Sequence, residues 1–322
     1  MRRWLKPLGW VATVGMFLVV VMGATVTNTG SAEGCGRSWP LCHGQLIPEF
    51  AITTLIEFSH RAVTGIEGLL LVAFAVGTML SYWRRVEIRV LGPLMIGSLL
   101  LQAGMGAWAV LYPQTPGVIA LHFGISSVAF AAVLLAATFV SSADVGESPR
   151  QLPVSAAYRR VIWASLVYVL IVVYLGAYVR HAGYTLACGG WPLCNGSLFP
   201  GSSGPAGIAF LHRVAALGSV ILLAGVFAWS RRLHPARPDL RRGSAIAFGL
   251  VLLQSFSGAL VVATRLSLFS ALSHAGLMAL LFGAVSYLCL QSLPASSIVT
   301  RDARDRPDNA TLAARSSSPI RG

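Results

Sequence analysis

Hydrophobic residues in this chain do not alternate with polar ones; they run together. Eight apolar stretches lie near residues 8–27, 52–80, 90–111, 119–141, 159–179, 207–229, 243–263 and 270–292. A hydrocarbon layer about 30 Å thick takes roughly 20 apolar residues of helix, so each stretch is long enough to cross it. The strands of a membrane barrel are shorter and alternate in polarity. The pattern therefore predicts an all-α membrane protein of eight transmembrane helices.

Composition agrees. Of 322 residues, 55% are hydrophobic and 11% charged, and the mean hydropathy is +0.71, values foreign to soluble globular domains. The net charge of +13 raises the question of nucleic acid, which the placement of the basic residues answers. They gather at the N-terminus (Arg2, Arg3, Lys6), in the loops near 84–89, 150–160 and 231–242, and in the C-terminal tail. Of the remaining arginines, Arg37, Arg180 and Arg265 are read as lying in the alternate loops, with Arg61 and Arg213 just inside helices. The positive-inside rule then puts both termini in the cytoplasm and the alternate loops outside a plasma membrane. The charge is a topology signal, and no nucleic-acid partner is needed.

The first stretch, after "MRRWLK", has the form of a signal peptide, but it has a full counterpart later in the chain and is expected to be a retained helix. The polar tail, residues 294–322, is expected to be a disordered cytoplasmic segment.

That counterpart belongs to a repeat with an offset of about 152 residues. "CGRSWPLCHGQLIP" (35–48) matches "CGGWPLCNGSLFP" (188–200), and "FSHRAVTG" (58–65) matches "FLHRVAALG" (210–218). "LQAGMGA" (101–107) matches "LQSFSGA" (253–259), and "MGATVTNTG" (22–30) matches "LGAYVRHAG" (175–183). Four helices repeat as four helices, which predicts two tandem pseudo-symmetric four-helix bundles, 1–145 and 146–293, related by an axis along the membrane normal.

His60 and His122 stand 62 residues apart, as do His212 and His274. Each pair falls on the second and fourth helices of its copy, shortly after an outer loop, so all four imidazoles are expected at similar depth. Two histidines facing each other across a bundle suit axial ligation of a haem iron. A lone intramembrane histidine is more often a packing residue, but ionisable groups in lipid are rare and four at repeated positions favour ligation. Zinc takes three or four grouped ligands, and these histidines come in separate pairs.

Cys35 and Cys42, like Cys188 and Cys194, fall in the loops read as external, where thiols meet an oxidising compartment. Two readings stay open: a disulfide within each loop that holds its shape, or a redox-active thiol pair, for which the first loop is the better candidate. Neither loop has the C-x-x-C-H of covalent haem attachment. Cys289 reads as a small packing residue.

The copies also differ. Glu57 lies one helical turn before His60, on the same face, and its repeat partner is Ala209. Beside a haem it can accept a proton or stabilise positive charge; alternatively it pairs with Arg61. Arg61 and Arg213 suit haem propionates or snorkel to the interface. Gln102 and Gln254 read as interhelical hydrogen-bonding residues. His181 and His234 are read as unmatched loop residues without a role.

Taken together, "CGRSWPLC", "EFSHR" at 57–61, "LHR" at 211–213, His122, His274 and the tandem halves resemble the haem A synthase family over residues 8–292. The resemblance implies an oxidoreductase that converts the methyl of haem O to the formyl of haem A, through an alcohol, for cytochrome c oxidase. It implies substrate haem O near His60, His122 and Glu57, and a resident haem b on His212 and His274 that passes electrons. Haem O synthase and a ferredoxin-type or other electron donor are the protein partners to consider. The competing readings are a non-catalytic di-haem cytochrome b electron carrier and a haem-handling transporter.

Overall fold

The computed structural model describes residues 2–45, 48, 51–112, 115–142, 152–233 and 235–294. The 294–322 tail beyond Pro294, and His234, lie outside them. The described residues form eight helices: α1 (Arg2–Asn28), α2 (Ile52–Tyr82), α3 (Val86–Leu111), α4 (Pro116–Ser142), α5 (Ala156–His181), α6 (Gly204–Leu233), α7 (Pro238–Ala263) and α8 (Leu268–Ser292). All eight are long and apolar enough to cross a membrane. Most outrun the apolar stretches, because flanking polar and aromatic residues continue the helix into the interfacial layer. Exposed Trp4 and Trp83 stand at one end of the helices, and exposed Trp108 at the other.

In the first half, α1 packs on α2 and α4, and α3 packs on α2 and α4, which closes a ring. In the second half α5 packs on α6 and α8, and α7 on α6 and α8. The halves meet through α4 on α5, α1 on α8 and α4 on α8. The seam has its own apolar cluster of Ala131, Val169, Val173, Met278 and Phe282.

Lipid tails are as apolar as the side chains they would replace, so close van der Waals packing rather than the hydrophobic effect holds such helices together. Glycines supply the closeness. A Cβ on Gly9 would stand 2.6 Å from the Phe74 ring, one on Gly77 2.6 Å from Leu5, and one on Gly283 2.8 Å from Leu134. Outward-facing Ile66, Leu69, Leu100, Ile221 and Phe256 are exposed and face the lipid. At the end opposite the cysteine loops, buried Arg237 donates to Leu152 O (2.6 Å), Gln291 O (2.8 Å) and Asp239, tying three segments of the second half together.

The seam depends on one small residue in particular. A Cβ on Gly124 of α4 would overlap the ring of Tyr174 on α5, whereas Gly117 faces open space. Gly124→Val is expected to lower stability by about 1–3 kcal/mol through overpacking, and Gly117→Ala to leave it unchanged. Thermal unfolding of the detergent-solubilised protein measures both.

Candidate functional site

Alternate connections emerge on one face of a spanning bundle, so the α1–α2 and α5–α6 loops share a face. Each is closed by a disulfide, Cys35 to Cys42 and Cys188 to Cys194. Each also contains a tight reversal. Cys42 and Gln45 exchange backbone hydrogen bonds of 3.2 and 2.9 Å, and Cys194 and Ser197 bonds of 3.1 and 2.9 Å. Both central residues of each turn have positive φ: His43 (51°) and Gly44 (75°), Asn195 (52°) and Gly196 (79°). That geometry favours Asn-Gly, the pair that Asn195 and Gly196 supply in the second loop.

An arginine one residue after a histidine holds each loop from below. Arg61 donates to Ser38 O (2.7 Å) and Leu41 O (3.2 Å) and pairs with Glu57. Arg213 donates to Gly190 O (2.9 Å), Leu193 O (3.1 Å) and Cys188 O. Both guanidinium groups therefore bind loop carbonyls, a use that neither the propionate nor the snorkelling reading foresaw.

Glu57 is 4% exposed. One oxygen pairs with Arg61, and the other accepts the Cys35 N–H at 2.8 Å. Of the two expectations, pairing with Arg61 is the arrangement present. Beneath the second loop, Ala209 of α6 lies buried in an apolar cluster with Val179, Cys188 and Cys194. Asn195 there supplies the polar closure, accepting from Gly189 N at 2.8 Å and donating to Ala187 O at 3.0 Å.

Below the loops stand the four histidines. His60 and His212 are each the ninth residue of their helix, and His122 and His274 each the seventh. Within each pair the rings lie close enough to interact electrostatically, His60 with His122 and His212 with His274. Every ring rests against a glycine of the preceding helix. A Cβ would stand 3.4 Å from His60 Cε1 at Gly23, 3.5 Å from His122 Cε1 at Gly106, 2.6 Å from His212 Cε1 at Gly176 and 3.2 Å from His274 Cε1 at Gly258. These glycines are themselves repeat partners, in the matched segments 22–30 with 175–183 and 101–107 with 253–259.

The Nδ1 atoms of His60, His122 and His212 are buried without a hydrogen-bond partner. His274 differs: its Nδ1 meets Ser257 Oγ at 2.8 Å, and its Nε2 lies 3.3 Å from Gln254 Nε2. Buried polar atoms are rarely left unpaired. Two pairs of interior imidazoles, three of the four with an unspent ring nitrogen, are a donor set that fits the two axial positions of a haem iron. Gln102 is buried with Oε1 unpartnered. Cys289 is buried, its Sγ 3.7 Å from Ile162 O, and packs within the apolar cluster of the second half.

Two residues read as loop residues are helical. Arg180 and His181 end α5, which runs two residues past its apolar stretch. Arg180 donates to Asn28 Oδ1 of α1 through Nε (3.0 Å) and Nη2 (2.7 Å), and His181 lies within electrostatic reach of His122. The end of a second-half helix thus reaches the first bundle. An arginine and a histidine after a hydrophobic run mark the end of that run, whereas the helix continues through them.

A family model of cytochrome oxidase assembly proteins, COX15-CtaA, matches residues 6–286. The chain is 42% identical over 297 residues to a heme A synthase of Symbiobacterium thermophilum, covering 90% of this chain and 96% of that protein. It is 39% identical over 295 residues to a heme A synthase of Halalkalibacterium halodurans (90% and 97% covered). To one from Staphylococcus aureus strain Newman it is 41% identical over 297 residues (91% and 96%).

The glycine seats can be tested directly. Gly176→Ala places a methyl 2.6 Å from the His212 ring and is expected to reduce bound haem several-fold. Gly225→Ala on α6, which faces open space, is expected to keep it. Haem absorbance per purified chain reads both, and equal haem content would show that the ring does not need its seat.

Proposed function

The chain belongs to the COX15-CtaA family of cytochrome oxidase assembly proteins, and we propose that its two histidine pairs divide the labour of one enzyme between them. It is a haem A synthase, an oxidoreductase that converts the methyl of haem O to the formyl of haem A for cytochrome oxidase. The observation that carries the division is the matched register of the histidines, together with the acidic residue present in one half only.

The first half, residues 1–145, takes substrate haem O between His60 and His122. The second, residues 146–293, holds haem b between His212 and His274. Bound haem b supplies one-electron redox chemistry. The unspent nitrogens of His60, His122 and His212 and the glycine seat beneath each of the four rings are what support both assignments.

Glu57 stands one turn from His60, with its carboxylate fixed by Arg61 and the Cys35 N–H. It serves the reaction by accepting a proton or stabilising positive charge developing on the substrate. Arg61 and Arg213 keep positive charge at the loop end of each bundle, complementary to porphyrin propionates. The disulfides hold the loops over the sites. The Lys and Arg distribution orients the chain in the plasma membrane with both termini cytoplasmic and the cysteine loops outside. Haem O synthase supplies the substrate, and a ferredoxin-type or other redox partner exchanges electrons.

Acid extraction and mass analysis of haems, after expression alongside haem O synthase, tests the reading. Haem A or its alcohol precursor is expected together with haem b; haem b alone, at two per chain, would favour an electron carrier. His212→Ala and His274→Ala are expected to lose haem b, and full haem b in both variants would remove those residues as its ligands. Glu57→Gln keeps an acceptor for the Cys35 N–H but loses the charge. It is expected to retain haem b while conversion falls roughly 10²-fold or more, the usual range for a lost proton-transfer group, as measured by haem A per chain.

A further inference from the structure

A second carboxyl faces the interior of the first bundle, deeper than the loops. Glu67 stands at the midpoint of α2, opposite Gly15 at the midpoint of α1. It is 3% exposed, and its Oε1 has no hydrogen-bond partner. A Cβ on Gly15 would overlap Glu67 Oε2, so the neighbouring helix leaves the carboxyl its space by omitting a side chain. An ionisable group at mid-membrane is costly and marks a working position. Both oxygens of Glu57 are held in place, by Arg61 and Cys35 N; Glu67 Oε1 has no partner.

The surroundings of Glu67 are specific to one half. His60, Thr64 and Glu67 follow one another at helical spacing on one face, and the Thr64 hydroxyl donates to His60 O at 2.7 Å. The corresponding residues after His212 are Ala216 and Ser219. The Ser219 hydroxyl is satisfied by Ala215 O at 3.3 Å. The second half therefore carries the histidine without the acid line below it.

We propose that Glu67 is the proton-exchange group of the substrate bundle, linked to the His60 level by the Thr64 hydroxyl. This rests on the haem A synthase reading. With water as oxygen source, methyl plus water gives the alcohol with release of two protons and two electrons, and alcohol gives the aldehyde with release of two more of each. The electrons leave to a one-electron redox partner. With O2 and a reductant as co-reactants, each oxidation instead consumes two protons and two electrons and yields water. Either route moves protons through an apolar interior. Seven residues of helix are about 10 Å, too far for direct transfer from the His60 level, and Thr64 stands between. Glu67 relays protons and does not touch the reacting carbon.

The test uses the full chain expressed with haem O synthase, as wild type, Glu67→Gln, Glu67→Asp and Thr64→Val. Two quantities are read: haem A per chain, and the redox-induced infrared difference spectrum in H2O and D2O. Wild type is expected to show a carboxyl C=O band that shifts in D2O. Glu67→Gln is expected to lose that band and at least tenfold in conversion at unchanged haem b content, with partial recovery in Glu67→Asp. The same band in Glu67→Gln, or undiminished conversion, overturns the proposal. If Glu67→Gln loses haem b and so misfolds, the remaining proteins decide: absence of a carboxyl band from wild type, or full conversion in Thr64→Val, overturns it. A wild type that makes no haem A instead overturns the haem A synthase reading, a result separate from any difference between the variants.

Discussion

A histidine on a membrane helix can offer its ring to the bundle interior only if the neighbouring helix gives up volume. Four times in this chain it does so in the same way, with a glycine opposite the imidazole: Gly23 for His60, Gly106 for His122, Gly176 for His212 and Gly258 for His274. The consequence is geometric. Each histidine-bearing helix is tied to the helix before it, α2 to α1, α4 to α3, α6 to α5 and α8 to α7, at the level of the ring. In lipid, where close packing replaces the hydrophobic effect, those approaches also draw the bundle together. Bundle packing and the placement of the rings are then set by the same contacts.

The loops above the rings reach one shape by two chemistries. Both have the disulfide, the positive-φ turn and an arginine from below. In the first loop an ion pair completes the closure and brings a carboxylate to within a turn of His60. In the second, buried Ala209 and the Asn195 amide do the same work without charge. Two equivalent loops thus differ at one point, a buried carboxylate in the first and a buried methyl in the second.

Much of this was legible in the sequence. Eight spans, the repeat and the equal histidine spacing depend on hydrophobicity and counting, which survive without coordinates. What escaped depended on partners far apart in the chain. The value of Gly176 lies in a ring 36 positions away, and nothing local distinguishes it from Gly225. Arg61 and Arg213 were placed just inside their helices, but their loop acceptors are backbone carbonyls, which sequence does not display. Arg180 and His181 look like loop residues in the sequence because apolar runs mark the hydrocarbon boundary rather than the helix end. Glu67 carries no signal of its own in the sequence, because a single acid within a long apolar stretch leaves the hydrophobic pattern intact.

The packing of α1 on α8 has a bearing on how the chain is made. The first span to leave the ribosome finds α2 and α4 early, and a closed first ring can form while the rest is still being synthesised. Its remaining contact waits for the final span: Phe17 of α1 lies against Gly276 of α8, near His274. The seam between the halves is therefore completed only when translation is nearly over. Until then α1 and α4 keep in lipid the faces that α8 will cover, and a chain stopped short of its last helix would lack both His274 and the contact that joins its first span to its last.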